Sequence, residues 1–133
     1  VLTIGNKLFS ANVGDARAIL CRGGKPIDLS VDHKAKRPDE LLRIKSQGGY
    51  IVYGRVLGRL AISRALGDFD CKNIEMNEVE GDPNSKKVIR SFISVDPEIR
   101  SIDINPATDD FFLLASDGLF DRFSSKECCK VIT

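Results

Sequence analysis

Phe111-Phe112-Leu113-Leu114-Ala115-Ser116-Asp117-Gly118 is an apolar run that ends in a small residue followed by an aspartate. A stretch so rich in Phe and Leu, and so short, reads as a strand buried in a sheet. Such a strand delivers its terminal carboxylate to the sheet rim at a fixed height. Leu8-Phe9-Ser10-Ala11-Asn12-Val13-Gly14-Asp15 has the same design. If the two strands converge, Asp15 and Asp117 stand close together with little conformational freedom. Asp121, four residues after Asp117, adds a supporting or third carboxylate. Hard divalent cations such as Mg²⁺ or Mn²⁺ take oxygen ligands of this kind, held on rigid elements. The same residues also fit ordinary turns, because Asp-Gly after a strand and Gly-Asp are common turn signals. Spacing alone therefore stops at a candidate metal–carboxylate site on a mixed scaffold of strands and helices.

Working outward, residues 1–4 are strand-like, Gly5-Asn6-Lys7 reads as a tight turn, and residues 8–13 and 16–21 read as the next strands. Arg22-Gly23-Gly24-Lys25 forms a further turn, so the chain opens as a meander. Residues 38–47 form the first clear helix. Pro38 suits its first position, Asp39 and Glu40 suit the positive end of its dipole, and Gly48-Gly49 supplies a left-handed stop. Residues 50–56 and 60–63 have strand character, with a short helical turn over 64–68. From 72 to 87 the chain is polar around the turn Gly81-Asp82-Pro83-Asn84, and 72–90 is expected to be a surface insertion. Strands are predicted again over 92–95, 99–104 and 111–116. Ser124 and Glu127 have capping-box spacing for a last helix that runs to the final residue. The chain starts in mid-strand and stops inside that helix, so the domain is expected to be incomplete at both ends.

A composition of 42% hydrophobic and 29% charged residues over 133 positions suits one folded domain or part of one. The net charge of +1 supplies no field for nucleic acid or an anionic membrane, and neither is expected as a partner. The apolar run over 111–115 is far too short to span a bilayer, and no leader pattern precedes the first strand. Cys21, Cys71, Cys128 and Cys129 show no C-x-x-C spacing, and His33 is the one histidine, which argues against zinc. The cysteines read as reduced packing residues of a cytoplasmic or nuclear protein.

Other polar residues each carry a functional and a plainer reading. Asp109-Asp110 reads as a solvated turn before a strand. Asp68 and Asp70 are either ligands or part of the turn after Arg64-Ala65-Leu66-Gly67. His33, in Asp32-His33-Lys34, is either a general acid or a histidine facing solvent from a polar loop. Arg55, Arg59 and Arg64 have the fork geometry that clamps phosphate, although balancing nearby aspartates is the simpler role. No Gly-rich phosphate loop precedes a predicted helix, so a nucleotide-binding protein has no support.

Motif by motif, the chain resembles the metal-dependent type 2C serine/threonine protein phosphatases. Ala11-Asn12-Val13-Gly14-Asp15-Ala16-Arg17-Ala18, then Asp32-His33-Lys34, then Arg43-Ile44 with Gly48-Gly49 follow that family's order. Arg55-Val56, Gly58, Leu60-Ala61-Ile62-Ser63-Arg64-Ala65-Leu66-Gly67-Asp68 and Phe112 to Asp121 continue it. The most specific part is Ser63 to Asp68 combined with Ser116-Asp117-Gly118. The resemblance implies an α+β fold, a sandwich of two antiparallel sheets flanked by helices, of which residues 1–133 are an incomplete catalytic domain. It implies two or three Mn²⁺ or Mg²⁺ ions at one rim. A water bridging two of them is then the nucleophile that hydrolyses phosphoserine and phosphothreonine in protein substrates. Carried over by position, Asp117 is the metal-binding aspartate of the family's Ser-Asp-Gly motif, Asp15 a ligand of a weaker third metal, and Asp121 a supporting or third-metal carboxylate. Residues 32–67 resemble the flap that influences substrate choice, and Arg64 and Asp68 match structural positions.

The departures matter too. The family's Asp-Gly-His-Gly motif, its N-terminal phosphate-binding arginine and its C-terminal Asp-Asn motif are not among these residues. No catalytic residue is therefore assigned, and the chain by itself is expected to be inactive, since a lone carboxylate holds Mg²⁺ or Mn²⁺ weakly. Ala16 stands where the family usually has serine, Phe120 where tryptophan is common, and Arg122-Phe123 where the pair is usually more apolar. The alternative reading is a non-catalytic relative that uses the scaffold as a binding or regulatory module. Sheet edges left uncovered by missing strands would favour a dimer.

Overall fold

The computed structural model describes all 133 residues. In chain order its elements are β1 (Leu2–Ile4), β2 (Lys7–Asn12), β3 (Arg17–Arg22), β4 (Lys25–Asp28), α1 (Pro38–Ser46), β5 (Ile51–Val52) and β6 (Arg55–Val56). There follow a 3-10 turn (Phe69–Cys71), β7 (Ile74–Asn77), β8 (Lys87–Arg90), β9 (Glu98–Asp103), β10 (Asp109–Ala115), α2 (Asp117–Phe120) and α3 (Ser125–Ile132). Val1–Asp32 with Pro97–Thr133 make one compact unit, and His33–Asp96 a second. No helix is long and apolar enough to cross a membrane.

The first unit is organised by β3, whose residues 18–21 are apolar and buried without interruption. Alternation along the strand sends Ala18 and Leu20 to one face, where they pack with Leu8 of β2 and with Leu29. Ile19 and Cys21 point the other way, against Cys128 and Cys129 of α3. Burial on both sides is worth about 1.5–3 kcal/mol for each of Ile19 and Leu20. Two antiparallel three-stranded sheets, β1-β2-β9 and β10-β3-β4, thus enclose one core, and α3 covers the far side of the second sheet. This is the expected α+β sandwich.

Its connectivity differs from the expected meander. β2 pairs with β1 and β9, whereas β3 pairs with β10 and β4, so residues 13–16 cross from one sheet to the other. Gly14, with φ 119°, makes the bend. The capping box forms as expected: the Glu127 N–H donates to Ser124 Oγ (3.2 Å), and the Ser124 N–H donates to Glu127 Oε2 (2.8 Å). All four cysteines are buried free thiols. Burial, with Cys21 alongside, pushes the Cys129 thiol up to about 12, far from the thiolate that reactive cysteines use.

In the second unit, Pro38 opens α1, and the helix closes on a Schellman motif. There the Gly48 N–H donates to Lys45 O and the Gly49 N–H to Ile44 O, both at 3.0 Å. Ile44 packs with Ala35, Val56, Ala65, Phe92 and Ile93 in one apolar cluster. Several local expectations change here. Residues 50–56 form the hairpin β5–β6, and 60–63 and 92–95 form single bridges, Lys34↔Ile62 and Arg64↔Ser94, rather than strands. Residues 64–68 form no helical turn: the Ala65 N–H is taken by Ser94 O and the Ser94 N–H by Ser63 O, and Gly67 (φ 91°) and Asp68 (φ 51°) are left-handed. The helical turn comes one step later, at Phe69–Cys71. Residues 72–90 fold around the hairpin β7–β8, with Lys72 at its base only 9% exposed and donating to Ala65 O at 2.6 Å.

Candidate functional site

The two aspartate-bearing stretches meet through β3 and β10. In that antiparallel pair Ala115 stands opposite Arg17. Asp117 lies two residues past Ala115 and Asp15 two residues before Arg17, so both fall at the same end of the pair. The sequence suggested that β2 would carry Asp15 to the rim. In fact Asp15 sits in the crossing after β2, at the entry to β3. Asn12 holds that crossing, its Nδ2 donating to Gly14 O (3.1 Å) and Val31 O (3.4 Å).

After β10 the chain turns straight into α2. Ser116 is extended (φ −73°, ψ 173°), and Asp117 is the first helical residue. Asp117-Gly118 therefore starts a helix and is not the loop turn that the dipeptide also fits. The Asp121 N–H donates back to Asp117 O at 2.7 Å, which places the Asp121 carboxylate one turn further on. Asp117 and Asp121 are both exposed, and Asp15 is half-buried. No group of three or more His, Cys, Asp or Glu side chains converges as a metal cluster. The structure thus brings Asp15 and Asp117 to one rim and Asp121 to the next turn, without closing a ligand set.

Arg17 joins three of the sequence motifs at this rim. Its Nε and Nη2 donate to the two carboxylate oxygens of Asp32, both at 2.9 Å. Its guanidinium carbon lies 4.7 Å from the centre of the Phe120 ring. The Asp32 hydrogen bond, more than the nearby charges of Asp28 and Asp121, raises the Arg17 pKa above its ordinary value. Beside it a cavity of about 250 Å³ is lined by Ser10, Asn12, Arg17, Ser30 and Ala115 among others. Within its walls Ser30 Oγ accepts from the Ala18 N–H at 2.9 Å, and Ser10 Oγ donates to Leu29 O.

Other candidates took different roles. His33 is fully buried rather than solvent-facing, and its carbonyl accepts from the Ser63 N–H at 2.8 Å. Arg64 reaches partners far along the chain. Its Nη2 donates to Glu40 Oε1 at 2.7 Å and its Nη1 to Asp96 O at 2.9 Å. Glu40, 1% exposed, also receives Arg43 Nη2 at 3.0 Å. Burial is the largest single influence on Glu40 and raises its pKa, but hydrogen bonds from Arg64, Arg43 and Ser63 together win and hold the carboxyl at about 2. Arg55 and Arg59 are exposed, with Arg55 Nη1 donating to Arg59 O at 2.8 Å. Asp68 and Asp70 are exposed around the 3-10 turn. Asp109 lies in β10 and forms a two-point pair with Arg22, rather than standing in a solvated turn. Sequence reading missed the Glu40 cluster, although the three-residue spacing of Glu40 and Arg43 on a helix was a usable signal. Nothing local points from Arg64 to Glu40.

Residues 1–133 match the sequence pattern of the family described as Protein phosphatase 2C. The chain is similar to probable protein phosphatase 2C 24 of Arabidopsis thaliana, 43% identical over 129 residues, covering 95% of this chain and 30% of that protein. It is 42% identical over 125 residues to probable protein phosphatase 2C 30 of Oryza sativa subsp. japonica, covering 92% of this chain and 26% of that protein. Among solved structures, one titled as a sex determining protein of C. elegans superposes with a TM-score of 0.72 at 27% identity, over 96% of this chain and 28% of that one. A phosphatase from a pathogenic strain of Toxoplasma gondii superposes with a TM-score of 0.69 at 30% identity, over 94% of this chain and 36% of its own. The chain therefore spans 26% to 30% of the length of these two plant relatives.

Proposed function

The chain belongs to the protein phosphatase 2C family, and from that premise we propose that the full-length protein hydrolyses phosphoserine and phosphothreonine in proteins with Mn²⁺ or Mg²⁺ as cofactor. The observation that carries this reading is the β3–β10 register, which puts Asp15 and Asp117 at one end of one strand pair. Carboxylate oxygens on the ends of packed elements suit a hard divalent ion in donor chemistry. Asp117 would be the principal ligand from this segment, Asp15 a ligand of a weaker ion, and Asp121 a support one turn away.

When bound, such ions make hydroxide available near neutral pH and offset charge on phosphoryl oxygens. The chain's own residues contribute position and charge. β10 fixes the height of Asp117, the Asn12-held crossing fixes Asp15, and α2 carries Asp121. The Nε–Nη2 edge of Arg17 is engaged with Asp32 and is not available to clamp phosphate. Because no three ligands converge within these residues, this segment alone is expected to bind Mn²⁺ weakly and to turn over no phosphopeptide.

The test is Mn²⁺-dependent phosphate release from a phosphothreonine peptide by the full-length protein and by its Asp117→Asn variant. The expected result is activity that falls at least about 100-fold in the variant, more than the loss usual for residues behind a metal ligand. A well-folded full-length protein with no activity would leave the regulatory reading in its place. Activity that survives Asp117→Asn would remove Asp117 from the site.

A further inference from the structure

Arg17 touches two other sequence motifs at this rim, through Asp32 and Phe120, and the function proposed above gives it no task. We propose that Arg17 is the positioning residue that sets the carboxylates of Asp117 and Asp121, an inference that rests on the metal-site reading above.

α2 spans only Asp117–Phe120. A single helical turn has too few hydrogen bonds to hold itself, so outside contacts must fix its orientation. Leu119 and Phe120 pack against the cluster of Ile19, Cys21, Cys128 and Cys129, but both remain partly exposed. Arg17 holds the turn from both sides. Its backbone stands opposite Ala115, two residues before Asp117. Its guanidinium lies on the ring of Phe120, one residue before Asp121, at 4.7 Å from the ring centre. A cation at that distance over an aromatic face attracts the ring and limits how it can turn.

The plate itself does not drift. The Nε–Nη2 edge of the fork is taken by Asp32 at 2.9 Å, a planar two-point contact that lysine cannot reproduce. The chain of restraint therefore runs from Asp32 to Arg17, to Phe120, to the two aspartates that begin and follow α2. Outer partners of this type typically tune metal affinity by about 10–100-fold.

Positioning and plain charge predict opposite signs. A fixed positive charge near a cation site repels the cation, so by Coulomb's law alone its removal strengthens divalent binding. Loss of positioning weakens it. Arg17→Lys keeps the charge and discards the fork, and isolates geometry from electrostatics.

The experiment measures Mn²⁺ affinity by titration calorimetry in the full-length protein and in Arg17→Lys, Arg17→Met, Phe120→Leu, Asp117→Asn and Ser124→Ala. Expected are a roughly 10-fold weaker Mn²⁺ affinity for both Arg17 variants and for Phe120→Leu. The Arg17→Met/Phe120→Leu double variant should be no weaker than the worse single one, because both act through one contact. Ser124→Ala removes the α3 cap; it should lower the melting temperature without moving Mn²⁺ affinity, which separates positioning from general stability. If Arg17→Met does not fold, Arg17→Lys decides. Wild-type or tighter affinity in the Arg17 variants, with binding lost in Asp117→Asn, overturns the role of Arg17 alone. Unchanged affinity in Asp117→Asn overturns the metal-site reading and this inference with it.

Discussion

Glu40→Gln is the most informative single change in the second unit. The variant keeps the shape and one acceptor of the side chain but removes the charge that Arg43 and Arg64 share. The gap between 4.5 and about 2 in the Glu40 pKa corresponds to about 3 kcal/mol at neutral pH. Breaking a buried pair by deleting one partner typically costs about 3–5 kcal/mol, because the remaining charges stay buried. The two routes agree, and the cost is a large share of the roughly 5–15 kcal/mol that holds a domain together. The sign with pH follows from the depressed folded-state pKa. The contribution is fully present above the unfolded value and is lost as pH falls from about 4.5 through about 2. Near pH 3 only about 1 kcal/mol of it should remain. Because the chain forms two units, the readout should be local. Hydrogen exchange of the α1 amides, in wild type and Glu40→Gln at pH 7 and pH 3, supplies it. A cost below about 1 kcal/mol at pH 7, or the same cost at both pH values, would refute the idea that the two arginines hold this carboxylate down.

Two further substitutions test the backbone. A Cβ on Gly49 would stand 2.7 Å from Phe92 Cδ1 and 2.8 Å from Ile44 Cγ2, both in the apolar cluster. Gly49→Ala should therefore cost about 1–3 kcal/mol in denaturant unfolding, and a neutral result would mean that the α1 end can shift away. Tyr53 sits at the tip of β5–β6 with φ 51° and 96% exposure, a left-handed conformation that a bulky side chain disfavours and Asn tolerates. Tyr53→Asn should raise stability by about 0.5–1 kcal/mol in thermal melting, and a decrease would show that the ring makes a contact absent from this hairpin.

What the sequence made legible was set by local chemistry. Pro38, Gly48 and Gly49 mark the ends of α1 because helix termini need particular backbone angles and hydrogen bonds. Ser124 and Glu127 mark the start of α3 for the same reason. β10 was visible as a short apolar run, Phe111 to Ala115, bounded by polar residues. What escaped was decided by partners far along the chain. Ser63 and Ala65 are tied to Ser94 by two backbone hydrogen bonds, and Arg64 finds Glu40 at a separation of 24 residues. His33 was read as solvent-facing from its polar neighbours, yet the bond from the Ser63 N–H draws its backbone inward. The meander failed likewise: alternation identifies a strand but not its neighbour.

The proximity of Asp15 and Asp117 along the chain's sheet has a different physical origin from the convergence of two like strands. Asp15 and Asp117 share a rim because of register, and register is fixed by burial. β3 carries Ile19 and Cys21 toward α3 and Ala18 and Leu20 toward the opposite sheet, so a one-residue slip would reverse both faces. The irregular step in its pairing with β10 lies between Asp109 and Phe111, at the end away from the rim. From Phe111 to Ala115 the ladder runs without a break to the point where Asp117 emerges. The four buried residues of β3 therefore specify the core and the height of the carboxylates together. A substitution that shifts this register, even one far from either aspartate, should separate Asp15 from Asp117 before it unfolds the sheet.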